Sequence, residues 1–154
     1  MTIDITIRQM MADDIDRIAH AFTKLGKERA QYKRYFNEQE RGDRLVLVAL
    51  YREEIVGYAT VVWYSGYEPF LQEGTPEIVD LNVITEHQRR GIGTALIHTA
   101  EHIAVQHSMT IIGISVEQSP IYAKANRLYL KLGYIPDGRG ITQHDNELHL
   151  IKKL

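Results

Sequence analysis

Residues 80–96 read Asp80-Leu81-Asn82-Val83-Ile84-Thr85-Glu86-His87-Gln88-Arg89-Arg90-Gly91-Ile92-Gly93-Thr94-Ala95-Leu96, and the fold turns on this stretch. The apolar residues 78–83 predict a buried strand, residues 84–90 a short polar turn, and residues 91–107 a helix with two glycines in its first turn. Glycine lets the backbone approach a ligand without a Cβ clash. The first amides of a helix have no partner inside it, so a pyrophosphate there would collect several N–H bonds and the favourable end of the helix dipole. Arg89 and Arg90 add positive charge beside it. Phosphate binding is one reading; a tight strand–helix junction that uses glycine for its geometry is the other. A dinucleotide-binding fingerprint would need a third glycine where Leu96 stands, and the Gly-Lys-Ser/Thr of a P-loop does not occur.

Outward from this point, the chain alternates short periodic segments. Ile3, Ile5 and Ile7 have the spacing of a half-buried strand. Asp13 and Asp14 stand at the expected start of a helix whose Ile15, Ile18, Ala19 and Phe22 share one face. A more polar helix is expected over 27–39, ending at Gly42. The β-rich runs 45–51 and 55–64 are separated by Arg52-Glu53-Glu54, which reads as a hairpin turn without the usual glycine. Residues 65–76 read as a long loop, and long loops in compact domains are often functional. A strand over 111–116, a helix from Ser119 to about Leu132 closed by Gly133, and a strand over 147–152 complete the chain. The order β-α-α-β-β-β-α-β-α-β predicts an α/β fold with helices packed on a central sheet, and residues 1–154 read as a single domain.

Composition narrows the function. The chain has 154 residues, 44% hydrophobic and 25% charged, with a net charge of -2, which suits a globular protein and gives no electrostatic case for nucleic acid. There is no cysteine, so disulfides, thiolate metal ligands and a cysteine nucleophile are excluded. No apolar run has the length of a membrane span, and no signal-peptide core is visible, so a cytoplasmic location is expected. A homodimer is compatible with the sequence, but nothing in it specifies one.

Two blocks carry a family resemblance. Gln88-Arg89-Arg90-Gly91-Ile92-Gly93 resembles the Gln/Arg-x-x-Gly-x-Gly/Ala signature of the GNAT superfamily of N-acetyltransferases, in the strand–turn–helix setting which that family uses. Leu128-Tyr129-Leu130-Lys131-Leu132-Gly133-Tyr134 resembles its second block, a helix ending Leu-Tyr-x-x-x-Gly-Phe/Tyr. The resemblance implies a mixed, mostly antiparallel sheet with two splayed strands and acetyl-CoA in the gap. The backbone of Leu81, Asn82 and Val83 would pair with the pantetheine arm and orient the thioester carbonyl. The amides from Gln88 through Arg89, Arg90, Gly91, Ile92 and Gly93 to Thr94 would hold the pyrophosphate. Many members place an asparagine seven residues before the motif tyrosine. Tyr122 stands there in this chain, a departure from the pattern that leaves open whether Tyr122 or the nearby Asn126 takes the asparagine's place.

By the same resemblance Tyr129 is the general acid for the departing thiolate, with a core aromatic as its plain alternative. Glu77 lies fourteen positions before Gly91, the spacing of the general base in the histone-modifying branch of the family; a solvated strand end is the other reading. Asp80 is the rival base, because an acid within an apolar strand needs a partner or a purpose. Trp63, Tyr64, Tyr67 and Phe70, with Glu68 and Glu73, are candidate contacts for a cationic amine, although half-buried aromatics account for them equally. His98-Thr99-Ala100-Glu101-His102 matches the His-x-x-Glu-His zinc pattern, but the helix puts His98 on its solvated face, so no metal is expected. His20, His87, His107, His144 and His149 read as surface residues. The expected activity is direct acetyl transfer from acetyl-CoA to a primary amine. A non-catalytic acyl-CoA-binding module on the same fold, and transfer to a hydroxyl, are the alternatives.

Overall fold

The computed structural model describes residues 4–154. The strands are β1 (Thr6–Gln9), β2 (Arg44–Tyr51), β3 (Glu54–Val62), β4 (Glu77–Val83), β5 (Ile111–Glu117), β6 (Ile135–Thr142) and β7 (Glu147–Lys153). The helices are α1 (Asp14–Ala21), α2 (Arg29–Glu40), α3 (Glu68–Glu73), α4 (Ile92–Gln106) and α5 (Ala123–Lys131). The strands form one sheet in the order β1-β2-β3-β4-β5-β7-β6. All neighbouring pairs are antiparallel except β4 and β5.

Two apolar layers sandwich the sheet. On one face Ile92, Leu96, Ile97 and Ala100 of α4 pack on Leu47, Val61, Ile78, Ile112, Ile114 and Leu150. On the other, Ile15 and Ile18 of α1 and Tyr32 and Tyr35 of α2 pack on Val46, Val48 and Tyr58. Alternation along each strand divides the side chains between the layers.

Several expectations are corrected. Ile7 lies in β1 and Ile5 just before it, while Ile3 falls outside the described residues. The expected loop over 65–76 contains α3, where Pro69 at the first turn favours a helical start and Gly74 ends it in the left-handed region. Strand β6 was not expected, because Gly138 and Gly140 interrupt its pattern and most of its residues are exposed. The hairpin turn consists of Arg52 and Glu53, both left-handed at φ 50° and 67°. That is the conformation a two-residue hairpin favours, held here without glycine.

Candidate active site

The opening in the sheet follows from the register of β4. It pairs with β5 only at Glu77↔Gly113 and Ile78↔Ile114; beyond Ile78 the two strands part, while β5 stays paired with β7 along its length. On its other side β4 remains bonded to β3, with one residue extra: Thr60↔Val79 is followed by Tyr58↔Asn82. The extra residue is a β-bulge, and Asp80 occupies it at φ 58°, a costly conformation for a non-glycine residue unless its surroundings hold it.

Those surroundings are the Asp80 carboxylate's own partners. It is ion-paired with Lys27 and accepts hydrogen bonds from Tyr35 Oη (2.9 Å), Tyr58 Oη (3.0 Å) and Asn82 Nδ2 (2.8 Å). Burial, and next the Asp80 charge, push Tyr35 up to about 12 and Tyr58 well above the ordinary phenol range. Both phenols are therefore fixed donors at neutral pH. The rival candidate base Asp80 thus has four donors around its carboxylate in the bulge.

At the far end of the opening, Gly91 caps α4 at φ 82°. A Cβ at Gly91 would meet nothing within 4 Å, so its requirement is conformational. The amides of Ile92, Gly93 and Thr94 lack intrahelical acceptors by geometry, and no side chain caps this end. The amide of Gln88 already donates to Thr85 O (3.3 Å) and its side chain to Val83 O (3.1 Å). Arg89 and Arg90 are exposed. A Cβ at Gly93 would sit at ordinary distance, 3.9 Å, from Leu128, so packing within the chain does not demand a glycine there.

Between these ends lies a cavity of about 1110 Å³ lined by Glu77, Asp80, Leu81, Asn82, Tyr129 and His149, among others. Glu77 is 5% exposed, and the Ser65 hydroxyl donates to it at 2.5 Å. The same oxygen of Ser65 accepts from the amide of Tyr67 at 2.9 Å, which ties the segment before α3 to the carboxylate. Tyr129 is buried, and burial alone pushes its hydroxyl up to about 12.

Helix α3 forms one wall. Phe70 is fully buried against Gly113, and Tyr67 stacks on His149 with ring centroids 3.5 Å apart and planes 6° apart. Of the four aromatics flanking this segment, Tyr67 lines the cavity. Trp63 and Tyr64 line a separate one with Leu71 and His107. The surface reading of His149 is corrected: it is 3% exposed, with its Nδ1 buried and unpartnered, and burial lowers its pKa. Its place in β7, alternating with core Leu148 and Leu150, was the available signal. Asn126 is half-buried with an unpartnered buried Oδ1. Tyr122 lines the cavity and Asn126 does not. His98 and His102 are exposed, and among the described residues no group of acids and histidines has metal-binding geometry.

Comparison with known proteins gives this arrangement its class. The model of the acetyltransferase (GNAT) family matches residues 12–134, and the chain belongs to that family. It is similar in structure to a ribosomal-protein-alanine N-acetyltransferase from Brucella melitensis (18% identity, 97% of this chain and 99% of that one, TM-score 0.77). It is similar also to PaiA N-acetyltransferase from Thermoplasma acidophilum in complex with coenzyme A (16%, 99% and 100%, 0.73). A third is NAA60 from Arabidopsis thaliana, in complex with a bisubstrate analogue (18%, 97% and 98%, 0.73). No curated protein sequence matches the chain. Among the described residues, no helix is long and apolar enough to cross a membrane.

Proposed function

We propose that the protein transfers the acetyl group of acetyl-CoA to a primary amine by direct attack. The observation that carries this reading is the parting of β4 and β5 after Ile78. It leaves one strand edge unpaired along Leu81, Asn82 and Val83, running from the free amides of α4 to a cavity that holds Glu77 and Tyr129. The residues present fit acetyl-CoA. Backbone N–H groups of Ile92, Gly93 and Thr94, with Arg89 and Arg90 beside them, suit a pyrophosphate. The bare Gly93 leaves room for close approach, and the unpaired strand edge suits the amides of pantetheine.

An alkyl amine with a pKa of about 10.4 is almost wholly protonated at neutral pH, so a proton must be removed before attack. Glu77 is the base in this reading, taking that proton directly or through one water. Asp80, already bonded by four donors, keeps the bulge in place. The nitrogen then attacks the thioester carbon, the C–N bond forms and the C–S bond breaks. Against a thiol of about 8.5, Tyr129, which burial pushes up to about 12, is the weaker acid. Complete proton transfer to sulfur is therefore uphill, and Tyr129 stabilises the developing thiolate chiefly by donating a hydrogen bond.

Screening an amine library with acetyl-CoA by mass spectrometry tests the reading. An N-acetylated amine that is lost on Glu77→Gln supports it. Acetyl-CoA binding with no turnover on any amine would identify a binding module instead.

A further inference from the structure

The face of the sheet beneath α3 carries more negative charge than one base requires. Strand alternation sends Ile78, Ile114, Val116, Leu148 and Leu150 to the α4 layer and leaves Glu77, Glu117, Glu147 and His149 for the opposite face. Glu117 and Glu147 are direct cross-strand partners, a placement in which like charges repel. Both line the cavity with Glu77, and Asp145 joins them from the turn before β7. Glu147 is held above the usual carboxylate range by burial, then by Asp145 and Glu77.

Among the described residues no cationic side chain answers Glu77, Glu117 or Glu147. On the cavity wall Lys27 is bound to Asp80, and the exposed His144 lies beside Asp145. Beside the acids, the buried Nδ1 of His149 has no partner, and its ring is pinned by Tyr67 on one face and by the edge contact with Phe70. A neutral imidazole with a free ring nitrogen is an acceptor for N–H. The acids do not have the geometry of a metal site. A mutually repelling set of buried and half-buried acceptors, answered by the serine hydroxyls of Ser65 on Glu77 and Ser119 on Glu117 but by no cation among the described residues, suits an organic cation carrying several N–H groups.

We propose that the acceptor is a small aliphatic amine with at least two cationic centres. One amino group reacts at Glu77, and a second stays protonated on Glu117, Glu147 and His149. This rests on the reading of the site as an amine acetyltransferase and names its substrate class. A primary ammonium of pKa about 10.4 keeps its charge at neutral pH, so the second centre brings the positive charge the face lacks.

The test compares 1,n-diaminoalkanes, with three to six carbons, against amino alcohols of equal length, in which a hydroxyl replaces the second ammonium. With acetyl-CoA saturating, kcat/KM for the best diamine should exceed that for its amino alcohol at least tenfold, mainly through KM. That ratio should fall towards one in Glu147→Gln and in Glu117→Gln, either of which suffices if the other fails to fold. Equal rates for the two series in the wild type, or a ratio undiminished in the folded variants, would overturn the proposal. So would acetylation of other amines but of neither series, and in all three cases the amine acetyltransferase reading survives. Failure to acetylate any amine would remove that reading itself.

Discussion

Phe70 lies so close over Gly113 that a Cβ at position 113 would stand 2.3 Å from its Cε2. This contact seats α3 on β5 at the residue directly across the sheet from Glu77, and so sets the wall that carries Tyr67. Gly113→Ala should force the ring out, at a cost of about 1–3 kcal/mol for overpacking. The acceptor KM should rise more than that of acetyl-CoA. Thermal unfolding and steady-state kinetics check both; an unchanged melting temperature would show that α3 is seated by other contacts.

Gly91 is needed for its backbone. At φ 82° a β-branched residue is strained, so Gly91→Val should distort the start of α4 while the buried stripe of that helix keeps the protein folded. Acetyl-CoA at a hundred times its dissociation constant should stabilise the wild type by about 2.7 kcal/mol, and differential scanning fluorimetry should show that shift lost in the variant.

Glu147 gives a stability prediction of opposite sign. Its carboxyl is raised above its ordinary value in the folded state, so its contribution is most favourable at acid pH and is lost as pH rises through the folded value. Above that value the ionised carboxylate opposes folding, and Glu147→Gln should raise the melting temperature at pH 7 to 8. The gain should vanish near pH 4. A lower melting temperature at neutral pH would mean that the charge is already compensated.

The glycine-bearing start of α4 and the block ending at Tyr134 were legible because each rests on local geometry: a helix that begins at a left-handed Gly91, and one that stops at a left-handed Gly133. Spacing singled out Glu77, and the structure places it buried in the cavity wall. The environment of Asp80 was not legible, since Lys27 reaches it from the loop before α2, Tyr35 from α2 and Tyr58 from β3. Nothing local distinguishes a base from a clamp. His149 was missed for a related reason. Alternation along β7 separates it from Leu148 and Leu150, but only the packing of α3 decides that its face is buried. Strand β6 has too few buried residues to leave a period in the sequence.

Proton removal from the amine should leave a pH signature. Glu77→Gln should depress the rate most at lower pH and recover partly as pH approaches about 10, where the neutral amine is supplied by solvent. Tyr129→Phe keeps the ring and removes the donor to sulfur. It should lower kcat about a hundredfold with little change in acetyl-CoA affinity. A wild-type pH profile for Glu77→Gln would place the base elsewhere, and wild-type turnover for Tyr129→Phe would make that residue a packing aromatic.

Direct transfer at this cavity is tested most directly by mixing stoichiometric acetyl-CoA with the protein, before and after adding an acceptor amine, and following intact-protein mass together with free CoA and N-acetyl product. The account predicts no acetylated protein and no CoA release until the amine is added, then CoA and N-acetylamine in equal amounts. A stable acetyl-protein formed without amine and discharged by it, or binding with no product, would contradict it.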